Sequence, residues 1–207
     1  STFHNLGLNI IKAEHKVLGY KPGFSIFDSE DAKALIRDLM IKEGDENSDR
    51  INQLQMDISN WKNAMLTPEE ALQKAKNPDE LFLANIYAMY NRYLKAYNAL
   101  DFDDLIEKSV DLVAHSDAAD WVLYKLDYDL EHILVDEAQD TSPDQWKIIE
   151  ALCEEFFSGE GARENNRTVF IVGDEKQSIF SFQGADPKVF DKMRDVFAKR
   201  ATDAGKS

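Results

Sequence analysis

Apolar residues recur at intervals of three and four along the first hundred positions, the period of helices with one buried face. Leu6, Ile10, Ala13 and Val17 share one side of a helix over about 5–18. Gly19 ends it, and Lys21-Pro22-Gly23 turns the chain into a short extended link at 24–27. Asp28 or Ser29 then caps a helix carrying Ala32, Leu35, Ile36, Leu39 and Met40 on one side. After a polar loop at 42–49, Ile51, Leu54, Ile58 and Trp61 mark another helix. Thr67-Pro68-Glu69-Glu70 is a start signal, with a Thr cap, Pro at the first position and Glu three after the cap. Asn77-Pro78-Asp79-Glu80 repeats it and opens a long helix with Leu81, Phe82, Ile86, Met89, Tyr90, Tyr93, Leu94 and Tyr97. That aromatic stripe reads as a packing face. Residues 5–98 therefore read as all helix.

Beyond about 100 the pattern changes. Asp101 caps a helix through 102–115, and a short helix follows within 120–130. His132 to Val135 is then a β-branched and aliphatic run, the signature of a buried strand in a parallel sheet. A second such run occupies 168–172. Between them, Ser142-Pro143-Asp144-Gln145 opens a helix that buries Trp146, Ile149, Leu152, Cys153 and Phe156. Strand, helix, strand is a βαβ unit, for which a parallel, right-handed crossover is expected. Asp186-Pro187 starts a last helix to about 198, and 201–207 is a frayed tail. Strands are thus expected after about 130, with at most a short one near the N-terminus. A separate all-helical lobe is expected before them.

Charge narrows the function. The chain of 207 residues has a net charge of −15, which argues against a general nucleic-acid binder, because neutralising phosphates takes Lys and Arg. Carboxylates crowd residues 101–160 against Lys108, Lys125 and Lys147, whereas residues 1–27 carry Lys12, Lys16 and Lys21 against Glu14 alone. On charge alone, any nucleic-acid contact is expected to be local, near the N-terminus. The acidic face also fits a plain solvated surface. The single cysteine, Cys153, leaves no internal disulfide and no Cys-based zinc site, and it falls on the apolar side of its helix. No apolar run approaches the ~20 residues that span a bilayer, and the chain does not open like a signal peptide. A reducing cytoplasm is the expected compartment.

The candidate chemistry stands where the two strands end. Asp136 and Glu137 follow the first, at the edge where open α/β sheets place ligands. In a nucleotide hydrolase, paired acids there form a Walker B site. The first holds Mg²⁺, and the second orients and deprotonates the attacking water. The second strand breaks at Gly173-Asp174 into a polar loop.

Asp136-Glu137-Ala138-Gln139-Asp140, followed at this distance by GDEKQSIFSFQGA from Gly173, resembles motifs II and III of the UvrD/Rep superfamily 1 DNA helicases. That group includes the AddA and RecB recombination nucleases. Thr2-Phe3-His4 resembles the family's TFH motif, and Leu100-Asp101-Phe102-Asp103-Asp104-Leu105 its LDFDDL segment. The four pieces stand in the family's order. Residues 1–106 look most like Rep, and residues 120–190 most like AddA.

The resemblance implies an α/β fold, a RecA-like P-loop helicase core with parallel strands and an inserted all-α subdomain. Residues 1–4 would begin the core, 5–98 would be the helical 1B-like insert, 99–200 would return to the core, and 201–207 would be tail. It implies Mg²⁺ at Asp136, a general base at Glu137, and γ-phosphate sensing by Gln177, whose amide can bond a phosphate oxygen and a water together. Gln139 and Asp140 would complete motif II and help couple the nucleotide site to the DNA site, and these two with Gly173 and Asp174 would be the cofactor-binding residues. Thr2, His4, Phe182 and Gln183 would contact single-stranded DNA, Phe182 by stacking on a base at ~1–3 kcal/mol. Gln183 departs from the Arg usual in Rep-like members and agrees with the AddA-like pattern, so no guanidinium contact is implied there. An AddA-like protein would also have a nuclease partner subunit.

No GxxxxGK[ST] phosphate loop occurs in the sequence. Gly205-Lys206-Ser207 carries the ending, but Arg200 stands where the first Gly is required. The expectation is therefore a partial ATP-dependent DNA helicase, inactive by itself. The alternative is a non-enzymatic DNA- or protein-binding helicase remnant.

Overall fold

The computed structural model describes residues 2–158, 167–174 and 187–203. The chain divides into two compact units, residues 1–109 and 110–207.

The first unit is built on helices α1 (Phe3–Glu14), α2 (Ser29–Lys42), α3 (Ile51–Asn63), α4 (Pro68–Lys74), α5 (Pro78–Ala96) and α6 (Phe102–Val110). The start signals act as expected. Asp28 and Thr67 each form a reciprocal capping box, and the Asn77 side chain accepts from Glu80 N. The core lies between α2, α3 and α5, where Leu39 and Ile86 are fully buried and Ile36 and Ile58 nearly so. Each such side chain contributes roughly 1.5–3 kcal/mol by leaving water.

Three expectations change here. The block 5–98 is not all helix, because β1 (Ser25–Phe27) pairs in parallel with β2 (Ala99–Asp101), Ile26 opposite Leu100. β1 is the short strand allowed for near the N-terminus, whereas β2 departs from the expectation that the other strands lie after 130. On α1 the buried residues are Gly7, Ile10, Ile11 and Glu14, and the helix ends before the exposed Val17. A Cβ on Gly7 would lie 2.7 Å from Ser109 Oγ, so α1 rests on α6 at a distance only glycine permits. On α5 the packing face is centred on Tyr87, Tyr90 and Leu94, while Leu81 and Tyr97 are exposed.

The core face of α3 ends in a charge. Lys62 continues the row of Ile51, Leu54 and Ile58, and its Nζ donates to Asp101 Oδ2 at 2.7 Å and to Asp104 Oδ1 at 2.9 Å. Tyr90 OH also donates to Asp101 Oδ2, at 2.9 Å. Asp101 and Asp104 bond each other's main-chain N–H as well, closing the start of α6. Burial opposes ionisation of Asp101, but the Lys62 ammonium and these hydrogen bonds outweigh it and hold the carboxyl below its usual range. Burial, with the neighbouring Asp101 charge, pushes Asp104 up to about 6 despite Lys62. Asp101 thus caps the helix, as expected, and Asp104 pins its first turn.

The second unit holds a π-helical turn (Asp111–His115), α7 (Ala119–Asp129), β3 (His132–Val135), α8 (Pro143–Ser158), β4 (Thr168–Ile171) and α9 (Pro187–Asp203). β3 and β4 pair in parallel with α8 between them in sequence, Val135 opposite Ile171. On α8, Trp146, Ile149, Leu152, Cys153 and Phe156 are buried, the set expected. β3 is not the wholly buried strand expected: Val135 is buried, while Leu134 is 69% exposed beside Phe170 at 64%. Two strands packed on one side leave their alternate residues open. Arg167, just before β4, clasps the Asp127 carboxylate of α7 with both guanidinium nitrogens, Nη2 to Oδ2 at 2.9 Å. Among the described residues no helix is long and apolar enough to cross a membrane.

Candidate functional site at the ends of β3 and β4

Hydrogen bonding between the strands continues past their last paired residues. Val172 N donates to Val135 O at 2.8 Å, and Ala138 N donates to Val172 O at 2.9 Å. The loop leaving β3 is thereby tied to the loop leaving β4. Six sequence-derived site residues come together here: Asp136, Glu137, Gln139, Asp140, Gly173 and Asp174.

Asp136 and Glu137 are exposed at the carboxyl end of β3. Asp136 Oδ1 accepts from Glu137 N at 3.0 Å. Glu137 has left-handed backbone angles, φ 50° and ψ 44°. That conformation costs a non-glycine residue about 1–3 kcal/mol and persists where its surroundings fix it. The fixing bond is that of Ala138 N, the next residue. A 3₁₀ turn over Ala138–Asp140 then buries Gln139. Gln139 Oε1 accepts from Asp174 N at 3.0 Å, and its Nε2 lies 3.4 Å from Asp140 Oδ2. A Cβ on Gly173 would fall 2.7 Å from Gln139 Oε1 and 3.1 Å from Phe190 Cζ.

The donor set is carboxylate oxygen, which suits Mg²⁺. That ion commonly keeps several waters and takes one or two protein carboxylates plus phosphate oxygens. In keeping with so open a site, no cluster of three or more His, Cys, Asp or Glu side chains able to hold a metal occurs among the described residues.

Other expected site residues stand elsewhere. Thr2 and His4 belong to the first unit. Thr2 is the N-cap of α1, its Oγ1 accepting from Asn5 N at 3.3 Å. His4 sets its ring edge-on to Phe102, 6.0 Å between centroids, and burial lowers its pKa. Gln177, Phe182 and Gln183 lie outside the described residues. Sequence reasoning missed Phe190 on α9, which packs beside Gly173. Its buried position was readable as core, with nothing to mark it as a neighbour of the site.

Residues 1–198 match the UvrD/REP helicase N-terminal domain. The chain belongs to that family. Among UvrD/REP relatives, it is 39% identical over 188 residues to the ATP-dependent DNA helicase Rep of Salmonella typhimurium, across 91% of this chain and 26% of the relative. Rep of Escherichia coli (strain K12) is 38% identical, with the same coverage. The ATP-dependent DNA helicase PcrA of Staphylococcus aureus (strain Mu50) is 32% identical over 187 residues, 90% of this chain and 24% of the relative. The chain thus spans about a quarter of the length of the UvrD/REP relatives it matches.

Proposed function

We propose that this chain is the motif II and III portion of an ATP-dependent DNA helicase that moves along single-stranded DNA. The observation that carries the proposal is the exposed Asp136-Glu137 pair at the end of β3, tied by hydrogen bonds to the end of β4. It gains weight from the names of the relatives, Rep and PcrA, both ATP-dependent DNA helicases.

In this reading Asp136 holds Mg²⁺. Glu137, fixed in its left-handed conformation, orients the attacking water and accepts its proton. Bound Mg²⁺–ATP supplies the phosphoryl group to be transferred and the cation that offsets its charge. Gln139, Asp140, Gly173 and Asp174 complete the site, and Gln177 senses the γ-phosphate. Phe182 stacks on a DNA base, a contact indifferent to sequence. Thr2, His4 and Gln183 add contacts to the strand. The N-cap bond of Thr2 and the packing of His4 on Phe102 give both residues structural work alongside this role.

The proposal includes the family layout: a RecA-like core at 1–4 and 99–200, an inserted 1B-like subdomain at 5–98, and a tail at 201–207. The packing units divide at 109/110 instead, because β2 pairs with β1 and Asp101 and Asp104 hold Lys62. The AddA-like wording of residues 120–190 would add a nuclease partner subunit.

The test is ATP hydrolysis by the full-length protein that carries this chain, with and without oligo-dT. Hydrolysis stimulated by single-stranded DNA is the expected result, and indifference to DNA overturns the helicase reading. The second reading is a DNA- or protein-binding remnant. It requires good folding with no hydrolysis at all.

A further inference from the structure

We infer that Gln139 and Gly173 form a latch that fixes the loop after β4 against Glu137, which makes Gln139 a positioning residue for ATP hydrolysis. The inference rests on the function proposed above. It assigns to one side chain and one missing side chain the task of holding the two loops in register.

At least three hydrogen bonds among the described residues tie the ends of β3 and β4 together. Two are main chain to main chain, Val172 N to Val135 O and Ala138 N to Val172 O. The third, Asp174 N to Gln139 Oε1 at 3.0 Å, replaces a main-chain acceptor with a side-chain one. Beyond Val172, pairing among the described residues continues through the Gln139 carboxamide. That side chain is almost wholly buried, 5% exposed, and its oxygen is directed at the Asp174 peptide. A buried carboxamide so engaged is placed to orient a loop.

Gly173 is the other half. Its φ is not in the left-handed region, so backbone conformation does not call for glycine there. Space does. A Cβ would meet Gln139 Oε1 at 2.7 Å and Gln139 N at 3.1 Å, with Phe190 Cζ closing the third side at 3.1 Å. The smallest added group would force the carboxamide and the β4 loop apart.

Glu137 and Gln139 flank Ala138, whose N–H is bonded to Val172 O. The left-handed backbone of Glu137 is thus held by the same loop that the latch secures. Gln177 follows Asp174 by three residues in sequence. Releasing the latch should disturb how the base and the γ-phosphate sensor meet one nucleotide.

The experiment has two arms. In the full-length protein, Gln139→Met and Gly173→Ala are each expected to lower kcat for DNA-stimulated ATP hydrolysis by about 10–100-fold, the usual cost of losing a supporting shell, with KM for ATP little changed. Combined with Gln139→Ala, Gly173→Ala should cost little more than Gln139→Ala alone, because its main obstruction has gone. A rise in KM at unchanged kcat would make Gln139 a nucleotide ligand and overturn the latch, as would strictly additive losses.

The second arm uses no activity. In the 207-residue chain, the Asp174 amide should exchange about two- to tenfold faster in Gln139→Met than in the parent, as expected for one lost hydrogen bond. In Gln139→Glu, which keeps an acceptor oxygen, it should stay slow. Unchanged exchange in Gln139→Met, or fast exchange in a folded Gln139→Glu, overturns the latch. A parent without DNA-stimulated hydrolysis but with the expected exchange pattern would refute the helicase reading and leave the latch standing as a structural device.

Discussion

Lys62 Nζ and Asp101 Oδ2 stand 2.7 Å apart, and the lysine side chain is entirely out of solvent. The contact joins α3 to β2, and Asp104 and Tyr90 complete its ring of partners. Removing the ammonium would leave two carboxylates buried without their cation. Lys62→Met is expected to destabilise the protein by about 3–5 kcal/mol, the range for breaking a buried pair by deleting one partner. Urea denaturation followed by circular dichroism measures it. A loss under about 1 kcal/mol, the value of an exposed pair, would show that this site is wet.

His4 predicts a pH dependence of stability. Burial holds its imidazole below its ordinary value of 6.5, so the unfolded chain binds the proton more tightly than the folded one. The contribution of neutral His4 is therefore present above 6.5 and is lost as the pH falls through the lower, folded value. His4→Leu removes this term. The stability of the parent minus that of the variant should be larger at pH 8 than at pH 5, by denaturant melts at both. The same difference at the two pH values would contradict it.

Cys153 should be chemically silent. Burial pushes its thiol up to about 12, a shift Arg200 offsets only in part. Almost no thiolate exists at pH 8, and solvent does not reach the sulfur. Labelling by an aromatic disulfide reagent should proceed only as fast as the protein opens. It should rise to the full rate of a free thiol in denaturant. Immediate reaction in native buffer would place Cys153 at the surface.

Capping chemistry made most helices legible in the sequence. Thr67-Pro68, Asn77-Pro78 and Ser142-Pro143 each mark a true start, because such signals depend on a few adjacent residues. β3 and β4 were legible as apolar runs. β1 and β2 were not, since three residues carry no period and their pairing joins positions more than seventy apart. The buried position of Lys62 was not legible either, for a related reason. Its place on the core row of α3 was readable, but the partners that let a charge sit there come from another element. At the candidate site, Asp136 and Glu137 were legible from strand and motif together. The bond from Asp174 to Gln139 and the approach of Phe190 to Gly173 were not, because they depend on how two loops and α9 pack.

The claim that Glu137 is the general base of an ATP-driven motor is tested most directly by Glu137→Gln in the full-length protein. The amide keeps the size and polarity of the side chain and cannot take a proton from water. The expected result is a fall in kcat for DNA-stimulated ATP hydrolysis of about 10²–10⁴-fold, with ATP still bound at its parental affinity. A variant that hydrolyses ATP within about tenfold of the parent would fall short of any general-base contribution and contradict the assignment.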